Sequence, residues 1–356
     1  MPMDHRRFPF CLDFITHFST DMEDWVARLR AEGASPQSLT HFPAGSIRRL
    51  AQWERQTDIH RSHSLPFYVA LAYGNLSLAF IMTQRHAAIR RIETSSNPRS
   101  IAEWLPAILS GDAFTTVGIS HLTTSRRHLT VPPVTVVWDG DRGTLHGSIP
   151  WVTGAAHARY LVVGAVDAFD SGQQYLILIE TPSEGIQPGP GMQLVALTNS
   201  CTDVVELRGA RIDRRDVLHG PSENVMAASN TGGAGGLQTS ALALGLAASA
   251  IDYLAHESSM RPALSEHAGN LRSQWERLYD AIVDSESSRD ANTLRKAAND
   301  LVLAATHASL SAAKGAGYVE GHPVGRWCQE ALFFLVWSCP QVVADAHLCT
   351  FSGWQS

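Results

Sequence analysis

Leu145-His146-Gly147-Ser148-Ile149-Pro150-Trp151-Val152-Thr153-Gly154-Ala155-Ala156, running on into an apolar segment at 160–166, is the stretch on which the reading of this chain turns. It lies at mid-chain, in the only region whose hydrophobic pattern reads as β, between two long regions that read as helix. An indole, a hydroxyl and small residues in a strand-to-loop passage suit a flat aromatic cofactor. Trp151 can pack on a ring and Thr153 can hydrogen-bond a ring heteroatom. The plainer reading of the same residues is a buried core tryptophan followed by an ordinary turn.

Outward from this stretch, the middle third is punctuated as short strands. Residues 115–120 are β-rich, and 134–138 and 144–149 flank Asp139-Gly140-Asp141-Arg142-Gly143, a hairpin with a glycine-bearing turn. Further strands are expected at 160–166, 175–180, 192–197 and 204–212. That spacing predicts an antiparallel barrel or sandwich of roughly a hundred residues, with an aromatic ligand at its rim against the helices.

Helical patterns take over on both sides. Thr20-Asp21-Met22-Glu23 and Ser100-Ile101-Ala102-Glu103 read as capping boxes, opening helices that stop near Gly33 and Gly111. A helix over 45–58 turns Ile47, Leu50, Ala51 and Trp53 inward, and 65–89 reads as one helix buried on several sides. After 237, four helical segments (237–254, 262–285, 290–316 and 324–337) and a short fifth at 341–349 suggest a bundle. The fold class expected is α+β multidomain. It comprises an N-terminal helical domain (1–113), a middle antiparallel β-barrel domain (114–222) and a C-terminal four-helix bundle (223–356).

Composition excludes several function classes. The chain of 356 residues is 44% hydrophobic and 17% charged, which is globular, and its net charge of −6 removes the electrostatic case for nucleic acid. Five cysteines with no Cys-x-x-Cys pair fit a reducing compartment. Met1 to Cys11 lacks the apolar run of a signal peptide, and no window approaches the roughly 20 apolar residues of a membrane span. The expectation is a soluble, cytoplasmic protein without a membrane partner. His60 and His63 have no Cys or carboxylate partner at ligand spacing, so no metal is expected. Thr231-Gly232-Gly233-Ala234-Gly235-Gly236 fails both the P-loop and the dinucleotide spacing. Gly315-Ala316-Gly317 reads as a helix C-cap, with close approach of backbone to phosphate as the alternative.

The order helical, β, helical, with Trp151-Val152-Thr153 in the β part, resembles the acyl-CoA dehydrogenase superfamily of FAD flavoproteins. Leu145-His146-Gly147 with Trp151-Val152-Thr153 is similar to the family's "leu-asn-gly … trp-ile-thr" element, whose Trp packs on the isoalloxazine and whose Thr meets flavin N5. Ser110-Gly111-Asp112 followed by 117–120 is similar to the lead-in to the family's "thr-glu-pro-gly-ala-gly-ser-asp" loop, which sets Ser120 at the flavin pyrimidine. Downstream, His121-Leu122-Thr123-Thr124-Ser125-Arg126-Arg127 has lost Glu-Pro-Gly but kept hydroxyls; Thr123, Thr124 and Arg126 can still serve phosphate or a ring edge. Ile251-Asp252 and Arg261 match the helix and the Arg that reach the FAD diphosphate of a neighbouring subunit. Lys314-Gly315-Ala316-Gly317-Tyr318 is similar to "gly-gly-asn-gly-phe", another inter-subunit contact that assigns Gly315 and Gly317 to the cofactor. His322-Pro323-Val324, Arg326 and Glu330-Ala331 continue the register. The resemblance therefore implies FAD and a homodimer or homotetramer.

The departure concerns the base. Where the family carries Glu in "tyr-glu-gly-thr", this chain reads Trp337-Ser338-Cys339-Pro340, and the family's other Glu position falls at Gly235 or Gly236. Ser338, Cys339 and His121 are the catalytic candidates, with Glu330, Glu320 and His322 as further alternatives for the base. The resemblance implies an FAD-dependent oxidoreductase that desaturates an acyl thioester, on CoA or a carrier protein, or a related small molecule. The alternatives are a flavin monooxygenase or oxidase using reduced flavin and O2, which needs no α-proton base, and a catalytically silent binding protein.

Overall fold

The computed structural model describes residues 20–33, 40–57, 64–95, 97–123, 132–228, 237–283 and 290–353. Helices α1 (Thr20–Gly33), α2 (Ala44–Thr57), α3 (Ser64–Gly74), α4 (Leu76–Glu93) and α5 (Leu105–Leu109) open the chain. Strand β1 (Thr115–Gly118), the single turn α6 (Ser120–Thr123) and strands β2 (Val134–Asp139), β3 (Arg142–Val152), β4 (Tyr160–Asp167), β5 (Gln174–Glu180), β6 (Ile186–Pro188), β7 (Asp203–Asp213) and β8 (Val217–Ser222) follow. The short α7 (Val225–Ala228) leads to α8 (Leu237–Met260), α9 (Ser265–Val283), α10 (Ala291–Ala313), α11 (Pro323–Ala331), α12 (Phe333–Val336) and α13 (Gln341–Ser352).

The expected antiparallel barrel is instead an open, mixed sheet. Its order is β6-β7-β3-β2-β4-β5-β8, and both β1 and β2 run parallel to β4. The strands that would have to close it are poor closers. β6 has three residues and ends in Pro188, β8 carries Gly220-Pro221, and proline offers no N–H to a further strand. The expected hairpin β2–β3 is present, but its turn is tighter than the 139–143 segment: the strands pair from Val134↔Gly147 through Asp139↔Arg142, leaving Gly140 and Asp141 as the loop. Residues 192–197 form no strand; Leu197 there takes a positive φ of 62°.

β4 and β5 are buried on both faces. Leu161, Val163, Tyr175 and Ile177 join the core inside the curled sheet, whereas Val162, Leu176 and Leu178 meet Ala88, Ile89 and Ile92 of α4. Each such side chain removed from water contributes roughly 1.5–3 kcal/mol. The N-terminal half of α4, Leu76 to Met82, enters a separate helical core with α3 and α8. One helix therefore ties the sheet to the bundle.

Three helix boundaries differ from the sequence pattern. The expected helix over 65–89 breaks between Gly74 and Asn75 because Asn75 Oδ1 caps α4, accepting from Leu78 N at 3.0 Å. Ser100 opens no capping box. Its hydroxyl donates to Asn97 O at 2.6 Å inside a π-helical turn, Ser100–Trp104, and Glu103 pairs with Arg99. The segment expected as one helix at 324–337 also divides, at Leu332, into α11 and α12. His60, His63, Thr124, Arg126, the 231–236 glycine run and the side chains of the first capping box lie outside the described residues.

Candidate functional site

The site is built on a β-bulge. β3 pairs with β7 from Arg142↔Asp213 to Ile149↔Val205 and resumes at Val152↔Asp203, so Pro150 and Trp151 together stand opposite the single residue Val204, one residue in excess of the ladder. A bulge re-aims a side chain, and here Trp151 takes φ +59° with its indole 45% exposed, between buried Ile149 and Val152. A bulky residue at positive φ is strained and persists only where its surroundings impose it. Trp151 is thus not the core tryptophan of the plainer reading.

Ser120 is brought to this bulge, its hydroxyl donating to Pro150 O at 3.1 Å. Thr123 spends its hydroxyl proton on the Ser120 carbonyl at 3.0 Å. His121 is buried in the sheet wall, with Nε2 donating to Gly164 O at 2.9 Å. Thr153 is 1% exposed and lies 3.1 Å from the Thr202 hydroxyl, itself 2.8 Å from that of Ser200, a buried relay of three hydroxyls. Gly154 closes the lip at φ +65°; a β-carbon there would sit 2.7 Å from the Phe42 ring.

The second half of the site is the turn that follows α12. Ser338 takes φ +43° between Trp337 and Cys339, all three partly exposed. Arg295 and Asn299 of α10 hold it from beneath. Arg295 Nη2 donates to Trp337 O at 3.0 Å and Phe334 O at 3.3 Å, and Asn299 Nδ2 donates to Phe334 O at 2.9 Å. Phe333 and Trp337 pack on Phe80 of α4, with ring centroids 5.0 and 4.6 Å away. The same helix touches the Thr198–Ser200 turn beside the hydroxyl relay. α4 therefore contacts both halves.

Arg261 and the Gly315–Gly317 turn meet at a different end of the bundle. Arg261 Nη2 donates to Ala312 O at 2.7 Å and pairs with Glu257. Lys314–Tyr318 is a 3₁₀ turn in which Gly317 is buried against Leu310 and Ala313, while the α-carbon of Gly315 faces open space. Met260, Tyr318 and Val319 are exposed around it.

None of the other base candidates touches the Ser338 turn. His322 caps α11, accepting from Val324 N at 3.3 Å, and burial lowers its pKa. Glu330 is buried 3.4 Å from Arg326; burial raises its pKa and Arg326 opposes that. Glu320 is exposed. Burial also pushes the Cys339 thiol up, with Arg295 pulling it down. Sequence reasoning missed Arg295, Asn299, Ser200 and Thr202. The signal for the first two was present: polar residues four apart on the stripe that buries Leu294, Ala298 and Val302.

The helical–sheet–helical architecture is one that other proteins share. No family profile matches the chain. The bovine and human mitochondrial short-chain specific acyl-CoA dehydrogenases are 24% identical to it over 213 residues, 54% of this chain and 52% of each relative. The chain thus spans about half the length of the curated relatives it matches. Glutaryl-coenzyme A dehydrogenase in its glutaryl-CoA complex superposes with a TM-score of 0.76 at 16% identity, covering 95% of this chain and 96% of that one. Dibenzothiophene monooxygenase from Paenibacillus sp. A11-2 gives 0.70 at 16% identity, covering 88% and 91%. KijD3, solved with FMN and a dTDP-linked amino-keto sugar, gives 0.71 at 16% identity, covering 99% and 97%. The chain has the fold of the acyl-CoA dehydrogenase superfamily.

Proposed function

We propose that this protein is an FAD-dependent oxidoreductase. The observation that carries the reading is Trp151, an indole held out of the core at a strained bulge beside the Ser120 hydroxyl. Those residues fit a flat ring: Trp151 would carry its face, and Ser120 with the 151–153 backbone would border its edge. Arg261, Gly315 and Gly317 would meet the diphosphate from a second copy of the chain, whose contact the exposed Met260, Tyr318 and Val319 favour. When bound, FAD supplies two-electron redox chemistry. The division at 113 and 222 into helical, sheet and helical domains belongs to the same reading.

The Ser338 turn decides between reactions. Desaturating an acyl thioester needs a proton acceptor within hydrogen-bond reach. Among the described residues no carboxylate or imidazole bonds to this turn, and Ser338 is no base without one. The residues favour oxidation with reduced flavin and O2 over desaturation, with the Phe80, Phe333 and Trp337 rings forming an apolar wall that keeps water from the reacting centre.

The test is reconstitution with FAD, followed by anaerobic mixing with a panel of acyl-CoA and acyl-carrier thioesters. Yellow protein whose flavin affinity falls about tenfold or more in Trp151→Ala is the expected result. Bleaching by a thioester would restore desaturation and overturn the oxygen reading. Failure to take up FAD would leave the binding-protein alternative.

A further inference from the structure

Arg295 is fully buried, yet no carboxylate among the described residues pairs with it. Asp300, one turn further along α10, is taken by Lys296 at 2.7 Å and faces His347 Nδ1 at 3.5 Å. Among the described residues only Nη2 of Arg295 finds partners, the Trp337 and Phe334 carbonyls, and Nε and Nη1 find none. Burial lowers its pKa to about 10, which still leaves it a cation at neutral pH.

That charge reaches the outer side of the turn through one peptide unit. The cis peptides among the described residues precede Pro182 and Pro221, so Trp337–Ser338 is trans. A planar trans peptide points its N–H opposite to its C=O. With the Trp337 carbonyl drawn inward to Arg295, the Ser338 N–H points outward, and it bonds to no backbone acceptor among the described residues. Trp337 at φ −78°, ψ 121° followed by Ser338 at φ +43° is a type II-like turn, which stands its central peptide out from the chain. Pro340 then caps α13, whose first turn holds no acidic residue and no side-chain cap, so its N-terminal dipole adds potential of the same sign.

We propose that the turn 337–340 selects a substrate carboxylate, which the Ser338 N–H and hydroxyl receive because buried Arg295 polarises the turn from behind. This rests on the flavoprotein reading for the word substrate, but the electrostatics do not. Where the family places a negative carboxylate, this chain presents donors and an uncompensated cation. Arg295 acts through the turn and is a positioning residue.

Cys339 reports the field without any cofactor. Full-length protein is alkylated at fixed pH with iodoacetate, which is anionic, or iodoacetamide, which is neutral, and each cysteine is quantified by mass spectrometry. The ratio of the two rates cancels the thiolate fraction. The expected ratio at Cys339 is about fivefold or more above that at Cys349, collapsing in Arg295→Gln and recovering in Arg295→Lys. Equal ratios at the two cysteines in the native chain overturn the proposal, whether or not FAD binds. If Cys339 reacts with neither reagent, ligand-observed NMR decides. Benzoate broadened far more than benzamide, and less so in Arg295→Gln, supports the site; equal broadening of the two overturns it.

Discussion

Arg85 and Arg295 are the two largest wholly buried side chains among the described residues, and they are compensated in opposite ways. Arg85 of α4 reaches Glu54 of α2 at 2.9 Å and the Ile108 carbonyl of α5 at 2.9 Å. Glu54 also lies 2.7 Å from His86 Nε2, and His86 Nδ1 is 2.6 Å from the Tyr68 hydroxyl. Among the described residues, Arg295 bonds only to carbonyls. A buried charge with its counter-ion holds a core together. One without a counter-ion exports its field, and Arg295 exports it to the turn at 337–340.

The largest effect should follow from breaking the compensated pair. Glu54→Gln strands Arg85 and should lower stability by about 3–5 kcal/mol in urea titrations. A loss under about 1 kcal/mol would mean that Arg85 does not depend on its counter-ion, and the contrast with Arg295 would lapse.

Much of this contrast was invisible in the sequence. The hairpin at 139–143 was legible because turn residues and alternation act locally, and the helices of the bundle because apolar periodicity does. The open sheet was not. Strand partners are set by contacts between residues far apart in the chain, and spacing alone cannot distinguish β1 and β2 parallel to β4 from an antiparallel meander. At the site, Trp151 and Ser120 were found as a motif, but the bulge that exposes one and bonds the other is a register fact. Arg295 stood out only as a polar residue on an apolar stripe, and what it touches lies about forty residues on.

Asp252 is an intermediate case and sharpens the comparison by pH. It is buried, accepts from the Tyr73 hydroxyl, and Tyr73 in turn receives Arg30 Nη1 at 2.5 Å. Burial pushes its pKa up from 3.8 to about 6, against the opposing pull of Tyr73 and Arg30. The folded state therefore holds this proton more tightly than the unfolded state, so its contribution grows as pH falls from about 6 towards 4 and is absent above 6. Asp252→Asn keeps an acceptor for Tyr73 and cannot ionise. The variant should gain about 2–3 kcal/mol relative to the native chain on going from pH 4 to pH 7.5. A pH-independent difference would show that Asp252 is effectively solvated or paired.

Arg295→Met should cost less than Glu54→Gln, about 1–2 kcal/mol. The substitution removes a buried cation that no described carboxylate pairs, while leaving the Trp337 carbonyl without its donor and the Phe334 carbonyl with Asn299 alone, and these effects oppose one another. Denaturation curves of the two variants side by side give the comparison directly. A loss for Arg295→Met as large as that for Glu54→Gln would make Arg295 an ordinary structural cation with a counter-ion supplied elsewhere.

Ser338→Gly should have the smallest effect on stability. At φ +43° glycine is relieved of the strain that serine bears, which offsets the larger entropy it loses on folding, and the net change should stay within about 0.5 kcal/mol. The substitution keeps the backbone N–H, its trans peptide and the Trp337 carbonyl bonded to Arg295, and removes only the hydroxyl. It therefore separates the two donors of the turn. If the N–H directed by Arg295 carries the recognition, the iodoacetate preference at Cys339 survives in Ser338→Gly and still falls when Arg295→Gln is added. If the preference disappears in Ser338→Gly alone, the serine hydroxyl is the donor and the buried arginine serves only to hold the turn.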